Sequence, residues 1–269
     1  MTFMDSLPLV SIITVSYNAK AYIEQAILSV LEQSYKNIEY IIIDGGSTDG
    51  TIDIIKKYED RISKWISEKD RGISDAFNKG LKMASGSLIG MINGDDWYEP
   101  STVEKIVRQI GENDIAYGDL RLFKEGKTDF VLRGNHKFLD REMTINHPTV
   151  FVRKRCYEEF GLFDEKYKCA MDYDLMLRFW SNRCSFKYIP EVLANMRWEG
   201  LSDKRWLLGC RETLAIKDKY MPNHKRKHLL YFYKHVAAIA IPKFLKKMKL
   251  DSVVKGYRSK VSRVKKVYE

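Results

Sequence analysis

Residues 89–98 read Ile-Gly-Met-Ile-Asn-Gly-Asp-Asp-Trp-Tyr, an apolar strand that runs out into two adjacent carboxylates, Asp95 and Asp96. Two ionised carboxylates side by side repel each other, so a fold that keeps them at a strand end needs a counter-charge. A hard divalent cation supplies one and can bind a phosphate at the same time. An ordinary solvated turn also carries such pairs, so the weight of this one depends on what converges with it. Asp44 closes the apolar run 38–43, and Asp70 follows the run 62–67. Three successive strands thereby deliver acidic residues to one sheet edge, which suits a cation or a donor-rich ligand. Taken alone, Asp44 equally suits a turn or helix-capping role.

The turn Asp44-Gly-Gly-Ser-Thr-Asp-Gly-Thr51 matches none of the common ion or phosphate loops. Gly45 and Gly50 have P-loop spacing, but Thr51 stands where the lysine belongs. Gly46 and Thr48 fall on calcium-ligand positions, and no dinucleotide fingerprint is present.

The elements that must hold these residues alternate. An apolar, β-branched run at 9–15 is followed by a helical pattern carrying Ala21, Ile23, Ala26, Ile27, Val30 and Leu31. The run 38–43 precedes a helix with Ile52, Ile54, Ile55 and Tyr58, and the run 62–67 precedes a helix over 74–84. A fourth apolar run, 88–92, ends in the Asp pair. Strand and helix in alternation with short loops predict right-handed crossovers and a parallel sheet, with ligands at the carboxyl ends of the strands. A helix over 99–111, strands within 114–132, an apolar stretch at 150–152 and a helix opening at Met171 complete the body.

The 269 residues are 45% hydrophobic, enough for a sizeable core. The N-terminus has neither a basic nor an apolar signal region. The four cysteines lack metal-ligand spacing and read as core thiols in a reducing compartment. Charge is unevenly placed. Residues 224–269 hold 14 Lys and Arg against 2 Asp and Glu, a balance of +12 in a chain of +10, so residues 1–223 carry −2.

Four stretches, Val-Ser-Ile-Ile-Thr-Val-Ser-Tyr-Asn (10–18), Asp-Gly-Gly-Ser-Thr-Asp-Gly-Thr (44–51), Asp-Arg-Gly-Ile-Ser-Asp-Ala-Phe-Asn-Lys-Gly (70–80) and Asn-Gly-Asp-Asp (93–96), together resemble the family 2 glycosyltransferases of GT-A fold. The resemblance covers about residues 8–205. It implies an α/β fold, a Rossmann-like mixed sheet flanked by helices, over 1–205. Within it, 8–98 would be the nucleotide-binding half and 99–205 the acceptor half, followed by a helical basic extension, 206–269. It further implies a nucleotide-diphosphate-sugar donor, Mg²⁺ or Mn²⁺, and inversion at the anomeric carbon. By position, Asp44 would accept the N3–H of uracil or thymine, favouring UDP- or dTDP-sugars. Ser16, Tyr17 and Asn18 would line the nucleotide cleft and Asp70 would lie beside the nucleotide. Arg71 would offset the Asp70 charge or reach a phosphate. Asp95 would meet the ribose or metal-bound water, and Asp96 would hold the metal.

Asp172 matches the family's general base, with Met171 in place of the usual Glu. Its neighbour Asp174 reads as a helix cap. His147 is either a hydrogen-bonded structural residue or an acceptor contact. Arg197 and Trp198 are candidate phosphate and sugar contacts, with core packing the alternative for Trp198. The implied acceptor is a saccharide or lipid-linked saccharide, in cell-surface polysaccharide synthesis. Two alternatives stand beside this one. A sugar nucleotidyltransferase would want a glycine-rich basic loop that residues 16–20 lack, and a non-catalytic membrane-associated binding protein would not need the intact Asp set.

In the tail, the apolar run 229–241 is 13 residues long, contains Lys234 and His235, and is expected to end at Pro242. A membrane-spanning helix needs about 20 apolar residues. Beyond it Leu250, Val253, Val254, Tyr257, Val261, Val264 and Tyr268 recur at helical spacing among basic residues. That pattern suits an anionic membrane surface bound through 243–269, or a solvated basic helix packed on the body. No nucleic-acid-binding module is present, so nucleic acid is not an expected partner. The expected location is cytoplasmic, peripheral on the inner face of the cell membrane.

Overall fold

A computed structural model describes residues 7–124, 127–197 and 205–248. Two compact units are formed, Met1–Gly200 and Leu201–Glu269.

The first unit is a mixed sheet flanked by helices. It begins β1 (Val10–Ser16), α1 (Ile23–Leu31), β2 (Ile38–Asp44), α2 (Thr51–Lys56), β3 (Lys64–Ser67), α3 (Ile73–Met83) and β4 (Leu88–Asn93). It continues β5 (Trp97–Tyr98), α4 (Thr102–Gln109), β6 (Ile115–Lys124), β7 (Lys127–Leu132), β8 (Phe151–Arg153), α5 (Lys154–Phe160), α6 (Met171–Ser181) and β9 (Phe186–Arg197). Strand order is β3-β2-β1-β4-β8-β6-β9-β5, with β7 on β6. The first four strands pair in parallel, so their carboxyl ends share one edge. β8 then enters antiparallel to β4 and β6.

Every residue of β1 is buried, and all of β2 after Ile38, as a strand covered on both faces demands. Ile12, Ile27, Ile42, Ile92, Phe151 and Leu193 belong to one continuous core. Helix α3 lies close on the sheet because residue 80 is glycine: a Cβ there would stand 2.4 Å from Ile13 Cγ2. At the opposite, amino-terminal edge, buried Glu39 ties the sheet together. It accepts from Ser11 Oγ, from Lys64 Nζ at 2.7 Å and from the Ser85 amide at 2.7 Å. Burial raises the Glu39 pKa, but these donors outweigh it and hold the carboxyl at about 2.

The second unit packs α7 (Trp206–Tyr220) on α8 (Lys225–Lys247). His228 Nδ1 meets Asp218 Oδ1 at 2.8 Å, and Lys217 Nζ sits 3.8 Å from the centroid of the Tyr231 ring. The helix does not end at Pro242. It runs through the proline to Lys247, because the missing N–H removes one hydrogen bond and leaves those on either side intact. No described helix is long and apolar enough to cross a membrane. Residues 249–269, which include most of the expected membrane-binding segment, lie outside the described residues.

Candidate active site

At the carboxyl edge, Ser16, Asp44 and Ser67 are register partners across β1, β2 and β3. Their side chains meet on one carboxylate. Asp44 Oδ1 accepts from Ser16 Oγ at 3.0 Å and Ser47 Oγ at 2.6 Å. Asp44 Oδ2 accepts from Ser67 Oγ at 2.7 Å and from the amides of Gly46 and Ser47 at 3.0 and 2.8 Å. Burial works to raise the Asp44 pKa, but these donors prevail and hold it below the ordinary value. Two carboxylate oxygens have about four acceptor sites, and five donors already occupy them. Asp44 is fully buried, so reading a base N–H would require displacing one of these donors.

The loops above Asp44 are laced together. Asn18, at φ 49°, donates its amide to Ser47 Oγ and accepts from the Thr48 amide through Oδ1. The Ala19 amide donates to Thr51 Oγ1 and that of Lys20 to Asp49. Ser16 and Asn18 are thus tied into the loop network at the carboxyl edge, while Tyr17 between them is 66% exposed. Asp70 stands beside it. Its Oδ1 accepts from the Gly72 amide, and its Oδ2 would lie 2.4 Å from any Cβ at position 45. A side chain at position 45 would therefore push the Asp70 carboxylate aside. Arg71 turns away from Asp70 to pair with Asp75 and Glu165, each at 3.0 Å.

Past β4, Asp95 and Asp96 form a tight turn in which the Asp96 amide donates to Asn93 O at 3.1 Å. Asp96 is 2% exposed. Asn93 Nδ2 donates to its Oδ2, while Asp96 Oδ1 and Asn93 Oδ1 are buried without a hydrogen-bond partner. Burial, then the Asp95 charge, pushes Asp96 well above the usual carboxylate range, and burial raises Asp95 as well. The turn is clamped by Arg197, which donates to the Asp95 carbonyl and to Gln25. Its guanidinium lies 4.4 Å from the Tyr22 ring centroid and 4.6 Å from that of Trp97. Arg197, expected as a phosphate contact, is placed first as the residue that fixes the acidic turn.

Asp172 lies in the first turn of α6. Its Oδ1 is buried without a partner, and His147 Nδ1 is 3.8 Å away. His147 follows Asn146 in a 3-10 turn packed on β4, and its ring stands edge-on to Phe77 at 5.0 Å. His147 Nε2, Asn146 Nδ2 and the Tyr157 hydroxyl are likewise buried and unpartnered. Tyr157 is raised by burial and then by the charges of Cys156 and Asp172. Tyr98 is raised by burial and then by Tyr40, Asp96 and Tyr157. The expected cap role of Asp174 is not met. Ala170 occupies the cap position, and buried Asp174 pairs with Arg178 one turn on, whose guanidinium also holds the carbonyls of Phe160 and Leu162.

Among the described residues no three His, Cys, Asp or Glu side chains cluster as a complete metal cage. The donor set nevertheless fits a hard cation. Asp96 Oδ1 is an orphaned buried carboxylate oxygen beside a second carboxylate, and Mg²⁺ or Mn²⁺ sites on nucleotides use one or two such groups with substrate phosphates. Asn93, Asn146 and Tyr157 were not legible in the sequence, since only the folded arrangement isolates their polar atoms, and neither was Gln25, which meets Arg197 from far along the chain. Trp198 lies outside the described residues.

The family model for glycosyl transferase family 2 matches residues 11–174, from β1 to the first turn of α6. The chain belongs to that family. An uncharacterized glycosyltransferase of Haemophilus influenzae is 32% identical over 223 residues, covering 73% of this chain and 68% of that protein. A PGL/p-HBAD biosynthesis glycosyltransferase of Mycobacterium bovis is 30% identical over 208 residues, covering 73% of this chain and 80% of that protein. Among solved structures, S. aureus TarS superposes with a TM-score of 0.64 at 18% identity, over 85% of this chain and 43% of TarS. The mannosyltransferase PcManGT of Pyrobaculum calidifontis, in complex with GDP-Man and Mn²⁺, superposes with a TM-score of 0.65 over 97% of this chain and 85% of that one. Both show that this family 2 glycosyltransferase has the GT-A fold. Membership decides against the nucleotidyltransferase alternative.

Proposed function

We propose that this glycosyltransferase moves a sugar from a UDP- or dTDP-sugar to a saccharide or lipid-linked saccharide, with inversion at the anomeric carbon. The cellular role proposed is cell-surface polysaccharide synthesis at the cytoplasmic face of the membrane. The observation that carries the reading is the pair of buried, unpartnered carboxylate oxygens, Asp96 Oδ1 and Asp172 Oδ1. In this reading Asp96 Oδ1 suits a cation that binds the diphosphate, while Asp172 Oδ1, 3.8 Å from His147 Nδ1, anchors the carboxylate whose other oxygen takes the acceptor's proton. TarS has been solved with UDP-GlcNAc and PcManGT with GDP-Man, which supports the donor class.

In this reading the base lies against Tyr17, with Asp44 fixing the pocket floor and Asp70 as the open carboxylate that accepts a pyrimidine N3–H. Asp96, with Asp95, would hold Mg²⁺ or Mn²⁺, and the chemistry such a cation would supply there is charge neutralisation of the diphosphate. An acceptor hydroxyl is too weak an acid to attack unaided. Asp172 takes its proton, a contribution of roughly 10²–10⁴-fold. Its side chain is 27% exposed although Oδ1 is buried, which leaves Oδ2 to meet the hydroxyl. His147, with Nδ1 3.8 Å from Asp172 Oδ1, orients the carboxylate from behind.

Calorimetry with a series of nucleotide-sugars, with and without Mn²⁺, tests the donor assignment. Asp172→Asn should bind donor as the parent does and lose transfer. Normal turnover in that variant would remove Asp172 from the base role.

A further inference from the structure

Helix α8 carries an exposed apolar stripe. Leu230, Tyr233, Ala237, Ile241, Phe244 and Met248 follow one another at intervals of three or four residues, and each is exposed. Tyr233 is 62% and Phe244 63% exposed. Such spacing keeps them on one narrow face. The opposite face is the one packed on α7 through His228 and Tyr231. A helix with one apolar side covered and a second left open has a partner to find. Arg226 and Lys227 lie at the start of the stripe and Lys234 borders it, all exposed. Residues 225–248 contain seven Lys and Arg and no acidic residue.

We propose that this stripe seats α8 on an anionic lipid bilayer, lying in the interface with the apolar side chains in the acyl boundary and the basic ones among headgroups. Like charge argues against the other occupants. A second copy would bring the same basic face, and residues 249–269 hold seven Lys and Arg against two acidic residues. Nucleic acid would answer the charge but leave Leu230, Ile241 and Phe244 in water. A bilayer answers both. The surface lies on 226–248, mostly before the segment that sequence alone nominates, and it suits an acceptor carried on a lipid.

The test is co-sedimentation of the full chain with vesicles of phosphatidylcholine, alone or one-third phosphatidylglycerol, at low and high salt. Binding is expected on anionic vesicles and should weaken with salt. Tyr233→Glu/Phe244→Glu should lose at least tenfold in partitioning, since two apolar rings no longer leave water. Arg226→Gln, Lys227→Gln and Lys234→Gln should each lose about fivefold, on anionic vesicles only. Tyr233→Trp should be quenched by brominated acyl chains, a readout independent of the charge-reversed variants. Undiminished binding by the stripe variants would overturn the proposal, including the case where 249–269 alone carries the affinity. So would a parent that ignores vesicles, whether it pairs with itself through Tyr233 or captures an acidic protein there. Donor binding without vesicles is measured separately, so failure here leaves the transfer reaction untouched.

Discussion

His147 Nδ1 stands 3.8 Å from the buried Oδ1 of Asp172, and that oxygen has no hydrogen-bond partner. The gap is longer than a hydrogen bond, of the kind that tightens when substrate enters. His147→Ala is expected to lower kcat by roughly tenfold to a hundredfold with donor affinity unchanged, because it frees the base without touching the nucleotide pocket. Single-turnover kinetics beside donor titration separates the two. In the Asp172→Asn background the same change should cost little more, since the two side chains act together.

Asp96 is held against both burial and the charge of Asp95. Asp96→Asn removes the repulsion, so thermal unfolding should move up or stay level, by up to about 1–2 kcal/mol. Metal-dependent donor binding should fall at least tenfold. Calorimetry with Mn²⁺ and a melting curve on the same sample check both halves.

Arg197 reaches the acidic turn from between two rings. Arg197→Ala should destabilise the protein by about 1–2 kcal/mol through the lost ring contacts and weaken donor binding by releasing the Asp95 carbonyl. Arg197→Lys should recover only part, since an ammonium cannot stack flat or span Asp95 and Gln25 together. Urea unfolding with donor titration reads the difference.

Glu39 makes a pH prediction. Its folded pKa, about 2, lies below that of an unfolded glutamate, so its stabilisation is complete above about pH 4.5 and is lost as pH falls toward 2. The shift is worth about 3 kcal/mol at neutral pH. Glu39→Gln should lower stability at pH 7 and flatten the acid limb of the stability curve, measured by urea midpoints across pH.

Gly45 and Gly80 both forbid a Cβ, at 2.4 Å from Asp70 Oδ2 and Ile13 Cγ2 respectively. Gly80→Ala should cost roughly 1–3 kcal/mol by overpacking the core. Gly45→Ala should cost less stability, because a side-chain end can swing away, and should weaken donor binding by moving Asp70.

The strand–helix alternation, the shared carboxyl edge and the acidic positions upon it were legible because fully buried parallel strands write themselves as unbroken apolar runs. Asp95 and Asp96 could be found for the same reason, standing where such a run stops. What could not be read was how hydrogen bonds divide among neighbours. Asp44, expected to accept a base N–H, already accepts from three serine hydroxyls, Arg71, expected to offset Asp70 or reach a phosphate, pairs with Asp75 and Glu165, and Asp174, expected as a cap, pairs with Arg178. Ser16 and Ser67 for Asp44, and Glu165 for Arg71, are distant in sequence and no local spacing encodes their pairing, whereas Arg71–Asp75 and Asp174–Arg178 lie four residues apart, a spacing that the sequence offered beside other readings. Pro242 misled for the opposite reason: a local rule against proline in helices was overridden by the turns on either side.

If donor binds at this edge as proposed, the knot of serines on Asp44 gives its pocket a rigid floor before any donor arrives. One carboxylate pins the ends of β1, β2 and β3 and the loop between Gly46 and Ser47, so donor capture costs little ordering of this wall. On the proposed reading, selectivity among bases would then be set by a mould already cast, and a new donor preference would have to start at Tyr17 and Asp70, which are not tied into that knot.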